Sequence, residues 1–413
     1  MSPYFYFFGI SFVIMLLTKR KSPVCTILIL LQIGTLFALF LIDEVPEIKT
    51  LKGYFIVFYT ISLLYLFIVP WNKYHSIKSI KSIDINKADR LFRILLRINI
   101  FSSIVFLFIA INTLISVSDI FVFKEQGVNY SSGMARLYTI AKLLVPLGYL
   151  LLPFHFYYLS KGMSRKARLS FYFSLTPFFY GLTYFSRSHP VHFILTYLIL
   201  YFILRKSLPK KRVKRIQKIG LSLALLIIFS LATITIARFQ YSKYYGHMIK
   251  PSSKIQDITL YSTFDYFSQW HYYNYESLLS FKGETMRGQL MFHPSGLIFR
   301  ILGIMPHNDS EFLNKRMLLL GRSYDKFIGL VAYLVYDFGF IIALIIGFLY
   351  KHLVNKMRPQ NNSITLEKLF FILLLVQLPL FSIFYSYAAA LVLSLLFFSP
   401  IYSYIYYKKN AIK

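Results

Sequence analysis

The sequence predicts an all-α polytopic membrane protein of about eleven transmembrane helices. Its N-terminus is expected outside and its C-terminus cytoplasmic, with one large outer loop containing short or interfacial helices. Three observations predict this. Of 413 residues, 57% are hydrophobic and only 15% charged, whereas a soluble domain carries roughly 45–50% apolar and about 25% charged residues. The apolar residues gather in long runs such as 27–42 that charge interrupts. The 46 Lys plus Arg, set against 16 Asp plus Glu, are shared unequally between alternate loops. A soluble enzyme, a disordered tail protein and a disulfide scaffold are all excluded. The net charge of +30 does not indicate nucleic acid, because basic nucleic-acid proteins are not built from such runs. Cys25, the single cysteine, lies within an apolar stretch and can form no intramolecular disulfide.

Taken in order, the expected spans are 3–18, 24–42, 53–70, 94–117, 137–159, 169–186, 190–204, 219–237, 327–350, 369–387 and 391–407. The first has no basic flank before it and no small-residue cleavage site after it, so it reads as a retained span. The run 190–204 is short, and Pro379 and Pro400 interrupt the last two, a tolerable feature where neighbouring helices satisfy the freed carbonyls. Lys19–Lys21, 71–93, 160–168, 205–218, 351–368 and the residues after 407 hold 28 of the 46 basic residues, but of the acids only Asp84, Asp89 and Glu367. Basic residues concentrate on the cytoplasmic side, which sets the orientation and agrees with an odd number of spans. The whole chain, 1–413, is thus expected to form a single integral membrane domain. A large loop, 238–326, is inserted between spans eight and nine.

A long loop in a compact protein is usually functional. Here Phe264, Tyr266, Phe267, Trp270, Tyr272, Tyr273 and Tyr275 crowd one stretch, and Phe267, Trp270, Asn274, Leu278 and Phe281 fall at helical spacing. That pattern fits a helix lying in the interface plane, its aromatics serving as headgroup anchors or as a platform on which sugars stack. The loop's basic residues are Arg238, Lys243, Lys250, Lys254, Lys282, Arg287, Arg300, Lys315, Arg316, Arg322 and Lys326, against seven acids. Arginine forks bind phosphate bidentately, and a lipid pyrophosphate is the natural polyanion at a membrane surface. For any single member, solvated surface charge is the competing reading.

Other residues stand out singly. The turn from Tyr184 to His192 brings Arg187, His189 and His192 to a junction between two spans, where Arg187 is either a snorkelling anchor or an anion-binding group. Arg238, at the end of span eight, has the same two readings. His293 and His307 supply imidazoles, the natural general base for a sugar hydroxyl. Asp337 and Lys142 fall inside spans, where ionisable residues are costly and functional by default; the competing reading is that they pair with each other. Asp43-Glu44 is a faint trace of a metal-carboxylate site. The sequence holds no Walker loop, GxGxxG, HExxH or metal-ligand cluster.

Two stretches resemble the O-antigen polymerases, the Wzy-type oligosaccharide repeat-unit polymerases. One is Gly181-Leu-Thr-Tyr-Phe-Ser-Arg187-Ser-His, similar to the family's small-residue–Arg–small-residue turn at the outer end of a helix. The other runs from Arg322 through Asp337-Phe-Gly339, and resembles the family's return from the main outer loop into a span bearing an acidic–aromatic–Gly element. Pro306-His307-Asn308 is similar to the His-Asn element of the related O-antigen ligases. An Arg-x10-Gly spacing described for some members does not occur.

The resemblance implies an enzyme of the bacterial inner membrane, in lipopolysaccharide biosynthesis, acting on undecaprenyl-pyrophosphate-linked glycans as both donor and acceptor. It implies no nucleotide sugar, no metal and no other cofactor. The implied partners are the lipid bilayer and a chain-length regulator protein, without nucleic acid. On this reading Arg187, Arg238, Arg322 and Arg300 bind pyrophosphate, and His307, His293 or Glu276 is the base. A lipid-linked oligosaccharide flippase or other transporter is the rival from another class, and predicts polar residues throughout the spans, short loops and twofold repetition. The O-antigen ligase is the nearer rival. A membrane acyltransferase would need a His beside an Arg early in the chain, and no such pair occurs.

Overall fold

The computed structural model describes residues 2–18, 22–74, 77–82, 84–116, 132–183, 188–214, 216–217, 249–288, 290 and 328–382. Through them the chain is mostly helical. Helices α1 (Pro3–Thr18), α2 (Pro23–Leu41) and α3 (Leu51–Ile68) come first, the last running into a 3-10 turn, Val69–Lys73. Strand β1 (Ser79–Lys81) precedes α4 (Ile85–Ser116). Six helices follow: α5 (Ser132–Leu144), α6 (Pro146–Tyr149), α7 (Leu151–Ser160), α8 (Ser164–Ser174), α9 (Thr176–Leu182) and α10 (Ser188–Leu204). Beyond them lie α11 (Ile258–Ser280), α12 (Gly329–Lys356), β2 (Ser363–Thr365) and α13 (Leu366–Phe381).

Local chemistry sets the helix starts. Ser22 accepts the Cys25 N–H at 3.4 Å, with Pro23 in the first turn, where a missing N–H costs nothing. Thr50 caps α3 through the Gly53 N–H at 3.1 Å, and Asp257 caps α11 through the Leu260 N–H at 2.8 Å. Asp84 accepts the Lys87 N–H at 3.1 Å, so α4 begins nine residues before the expected span and carries Arg90, Arg93 and Arg97 on exposed helical positions. The expected span 137–159 is one apolar stretch in three helical pieces, broken ahead of Pro146 and again at Leu150. The expected span 169–186 divides at Leu175, ahead of Pro177, because proline lacks the N–H and crowds the preceding turn. The expected spans 219–237 and 391–407 lie outside the described residues.

Surface polarity is inverted along α4. Phe101, Ile104, Phe108, Ile111 and Ile115 form an exposed apolar stripe at helical spacing, whereas Asn99, Ser102, Ser103 and Thr113 are buried. Ile341, Ile345, Phe348 and Leu349 form a similar exposed stripe on α12. Stripes of this size are not left facing water. Five helical stretches among the described residues are long and apolar enough to cross a bilayer: Pro23–Leu41, Leu51–Lys73, Ile85–Thr113, Met134–Ser160 and Gly329–Lys356. The protein is a helical membrane protein.

The chain falls into two compact units. The first comprises Met1–His75, Lys214–Arg358 and Gln377–Val392. Within it α1, α2, α3, α11 and α12 pack on one another, with Phe7, Leu28, Leu39, Phe67, Trp71, Trp270 and Tyr336 in the interior. The second comprises Ser76–Val213, Pro359–Val376 and Leu393–Lys413. Its α4, α7, α8, α9 and α10 pack together beside a two-stranded parallel sheet that pairs Ser79 with Ser363 and Lys81 with Thr365. There Asp89 of α4 accepts from the Tyr158 hydroxyl at 2.6 Å and from Lys166 Nζ at 2.7 Å, joining three helices through one carboxylate.

Candidate functional site

Helix α11 comes from the long loop, yet in the first unit it packs against α2, α3 and α12 and touches α1 through Tyr4 and Phe7. Its aromatics divide between two environments. Tyr261, Trp270 and Tyr275 are buried, while Phe267 is exposed. Along the buried side run Ser268, His271, Asn274 and Ser277, a polar residue every third position.

Two of these reach transmembrane helices. His271 Nε2 lies 2.9 Å from the Thr35 hydroxyl of α2. The Thr60 hydroxyl of α3 donates to Asn274 Oδ1 at 2.9 Å, while Asn274 Nδ2 donates to the Ile328 carbonyl at 3.0 Å, just ahead of α12. Tyr4 of α1 donates its hydroxyl to the His271 carbonyl at 3.1 Å, and the Trp270 and His271 rings lie 3.8 Å apart. Tyr4, Phe7, Ile56, Val57, Thr60, Trp270, His271 and Asn274 line a small cavity here. Burial pushes the His271 pKa well below the ordinary histidine range, so the ring is a neutral hydrogen-bonding group. The Trp270 indole N–H and both ends of the Gln32 side-chain amide are buried without a hydrogen-bond partner among the described residues. Buried polar groups rarely stay unpaired, so this region suits a small polar guest or a water.

A second feature lies in α12. At Gly339 the backbone takes φ 78° and ψ 168° and the helix breaks. The segment after α11 fills the exposed positions: the Met286 N–H donates to the Tyr336 carbonyl at 2.7 Å, and the Leu290 N–H to Asp337 Oδ1 at 3.0 Å. Tyr59 of α3 donates its hydroxyl to the Phe340 carbonyl at 2.6 Å. Asp337, singled out as an intramembrane acid, is fully buried and bonded to backbone of the loop.

Glu276 sits on α11 but faces away from the buried stripe and is exposed. Lys142 is exposed in the last turn of α5, within electrostatic reach of His189 in the second unit. His189 packs its ring 4.9 Å from Tyr180 and 6.5 Å from His192. Arg187, Arg238, Arg300, Arg322, His293 and His307 lie outside the described residues. Glu44 is part of a latch rather than an open metal site. It accepts from Lys250 Nζ at 2.8 Å and from the Tyr261 hydroxyl at 2.9 Å, and burial followed by the Glu44 charge raises the Tyr261 pKa.

The sequence reading did not pick out His271, Thr35 or Thr60. The three-residue spacing from Ser268 to Ser277 is the signal that marks the stripe, since residues three apart share a helix face. Comparison with protein-family models, with curated proteins and with solved structures finds no match.

Proposed function

We propose that this chain polymerises undecaprenyl-pyrophosphate-linked oligosaccharide repeat units into O-antigen polysaccharide, at the periplasmic face of a bacterial inner membrane. In this reading eleven spans start outside and end in the cytoplasm, and 238–326 is the periplasmic loop of a single membrane domain. The observation that carries the reading is the seating of α11: a loop helix with a polar stripe is built into the apolar bundle through Thr35 and Thr60. An enzyme whose substrate has a hydrocarbon tail and a sugar head needs polar groups held against membrane helices in this way.

The reaction moves the growing glycan as a block. An acceptor hydroxyl of the new lipid-linked unit attacks the anomeric carbon of the donor chain. The bond from that carbon to the phosphate oxygen breaks, and the pyrophosphate leaves with the electron pair. A base, His307, His293 or Glu276, takes the hydroxyl proton. Arg187, Arg238, Arg322 and Arg300 stabilise the charge that develops on the leaving group. The Asp337-Phe-Gly339 element has a place in this scheme as the point where the loop segment 281–290 attaches to α12.

The test is deletion and complementation, read on a lipopolysaccharide gel. A strain lacking a polymerase shows core plus a single repeat unit. Core alone overturns the reading in favour of a ligase or a flippase. Arg187→Ala at normal protein level should reproduce the single-repeat phenotype; an intact ladder would make Arg187 an anchor.

A further inference from the structure

The course of segment 281–288 has a consequence for solvent. It starts beside the first turn of α3, where Lys52 Nζ donates to the Leu279 carbonyl at 2.6 Å. From there it descends. Phe281 stacks edge-on against Tyr336 and Phe340, Thr285 lies beside Gly339, and Met286 and Leu290 bond to Tyr336 and Asp337. Gly339 is ten residues beyond Gly329 on a helix of 28, so the break is about 15 Å along α12 from its start, near the middle of a hydrocarbon layer about 30 Å thick. Tyr59, bonded to Phe340, is likewise eight residues into α3. The segment is therefore irregular backbone at membrane depth.

Such backbone is tolerated only where protein buries it or water reaches it. Met286, Gly288 and Leu290 are buried, but Lys282 and Glu284 ahead of them and Arg287 among them are exposed. Three charged side chains within six residues do not face lipid. Arg287 moreover holds φ 55°, a left-handed conformation that a residue with a Cβ adopts only when its surroundings impose it, and here it sits between the buried Met286 and Gly288.

We infer that segment 281–288 lines a water-filled recess reaching the break in α12, and that Arg287 binds the phosphate of a lipid diphosphate there. The recess stands on the packing alone; the diphosphate rests on the proposed polymerase reading. A guanidinium at this depth pairs two oxygens of a phosphate at once, and water admitted by the recess solvates the remaining charge.

The test uses the full-length protein in lipid nanodiscs, with Cys25→Ala removing the buried native thiol. Glu284→Cys is added as the reporter, and a charged, membrane-impermeant maleimide reads its accessibility. Labelling at a rate within about tenfold of that of Lys49→Cys, at an exposed position, is expected; no labelling overturns the recess. A polyprenyl diphosphate should slow labelling of the reporter thiol severalfold, and Arg287→Gln should abolish the protection while Arg287→Lys keeps part of it. Protection absent, or unchanged by Arg287→Gln, overturns the phosphate contact while leaving the recess in place. Equal protection by inorganic pyrophosphate at the same concentration overturns the lipid assignment in favour of a soluble phosphate. All three readouts are independent of polymer formation, so a failed polymerase reading and a failed recess are distinguished.

Discussion

The hydroxyl of Thr60 donates to the side-chain carbonyl of Asn274 at 2.9 Å, joining residues 214 positions apart, one in a transmembrane helix and one in a loop helix. The same amide holds the Ile328 carbonyl at 3.0 Å. One side chain thereby ties α3, α11 and the start of α12 together. Asn274→Ala leaves two buried groups unpaired and should destabilise the first unit by roughly 1–3 kcal/mol. Thr60→Val removes only one partner. In a thermal-unfolding double-mutant cycle in detergent, the double variant should lose little more than Asn274→Ala alone, and strictly additive losses would count against the bridge.

His271 makes stability depend on pH. Burial holds its folded pKa well below the ordinary value of 6.5. Above 6.5 both folded and unfolded rings are neutral, and the favourable contribution is complete. As pH falls through 6.5 the unfolded chain takes up a proton that the folded chain refuses, so stability declines by at most ~1.4 kcal/mol per pH unit until the folded pKa is reached. His271→Gln should flatten this part of the profile. Parallel melting curves of both proteins from pH 8 to pH 5 measure the difference.

Two glycines should respond differently to alanine. At Gly339 a Cβ would meet nothing closer than Thr285 Cγ2 at 3.8 Å, so the cost is that of the backbone, φ 78°, at roughly 1–3 kcal/mol. At Gly329, φ 69°, the added carbon would also stand 2.8 Å from Trp270 Cε3 and 3.1 Å from the Ser382 carbonyl oxygen. Gly329→Ala should therefore lower the melting temperature more than Gly339→Ala. The reverse order would mean that the break in α12 is more tightly constrained than its open surroundings indicate.

Asp337 should be replaceable where its acceptor oxygen is kept. Asp337→Asn can still take the Leu290 N–H and should cost about 1 kcal/mol or less, whereas Asp337→Leu leaves a buried N–H unpaired and should cost about 1–3 kcal/mol. Protease cleavage within 281–290 gives a local readout, with faster nicking expected in the Leu variant. Equal nicking in both variants would show that the loop is held by other bonds.

Much of this was legible in residue order. The runs ending at Leu41 and Ile68 appear as helices within two residues of where hydropathy puts them, because apolarity over some twenty residues is a local property and Ser22 and Thr50 supply local caps. Asp337 drew notice for the same reason: an acid inside an apolar run is visible without a partner. What it does there was not visible. Asp337 reads in isolation as a candidate intramembrane charge, and the fold gives it the backbone of Leu290.

Residue order alone established a basic, aromatic, mostly helical chain of the membrane, and the order of the helices described in it. It took the folded chain to show that α11 leaves its loop to pack among α2, α3 and α12, that His271 meets Thr35 across 236 positions, and that the break at Gly339 is filled by Met286 and Leu290. The difference is one of range. Hydropathy, charge bias and capping act within a few turns of chain, whereas a buried polar group takes whichever partner the returning chain brings within hydrogen-bonding distance.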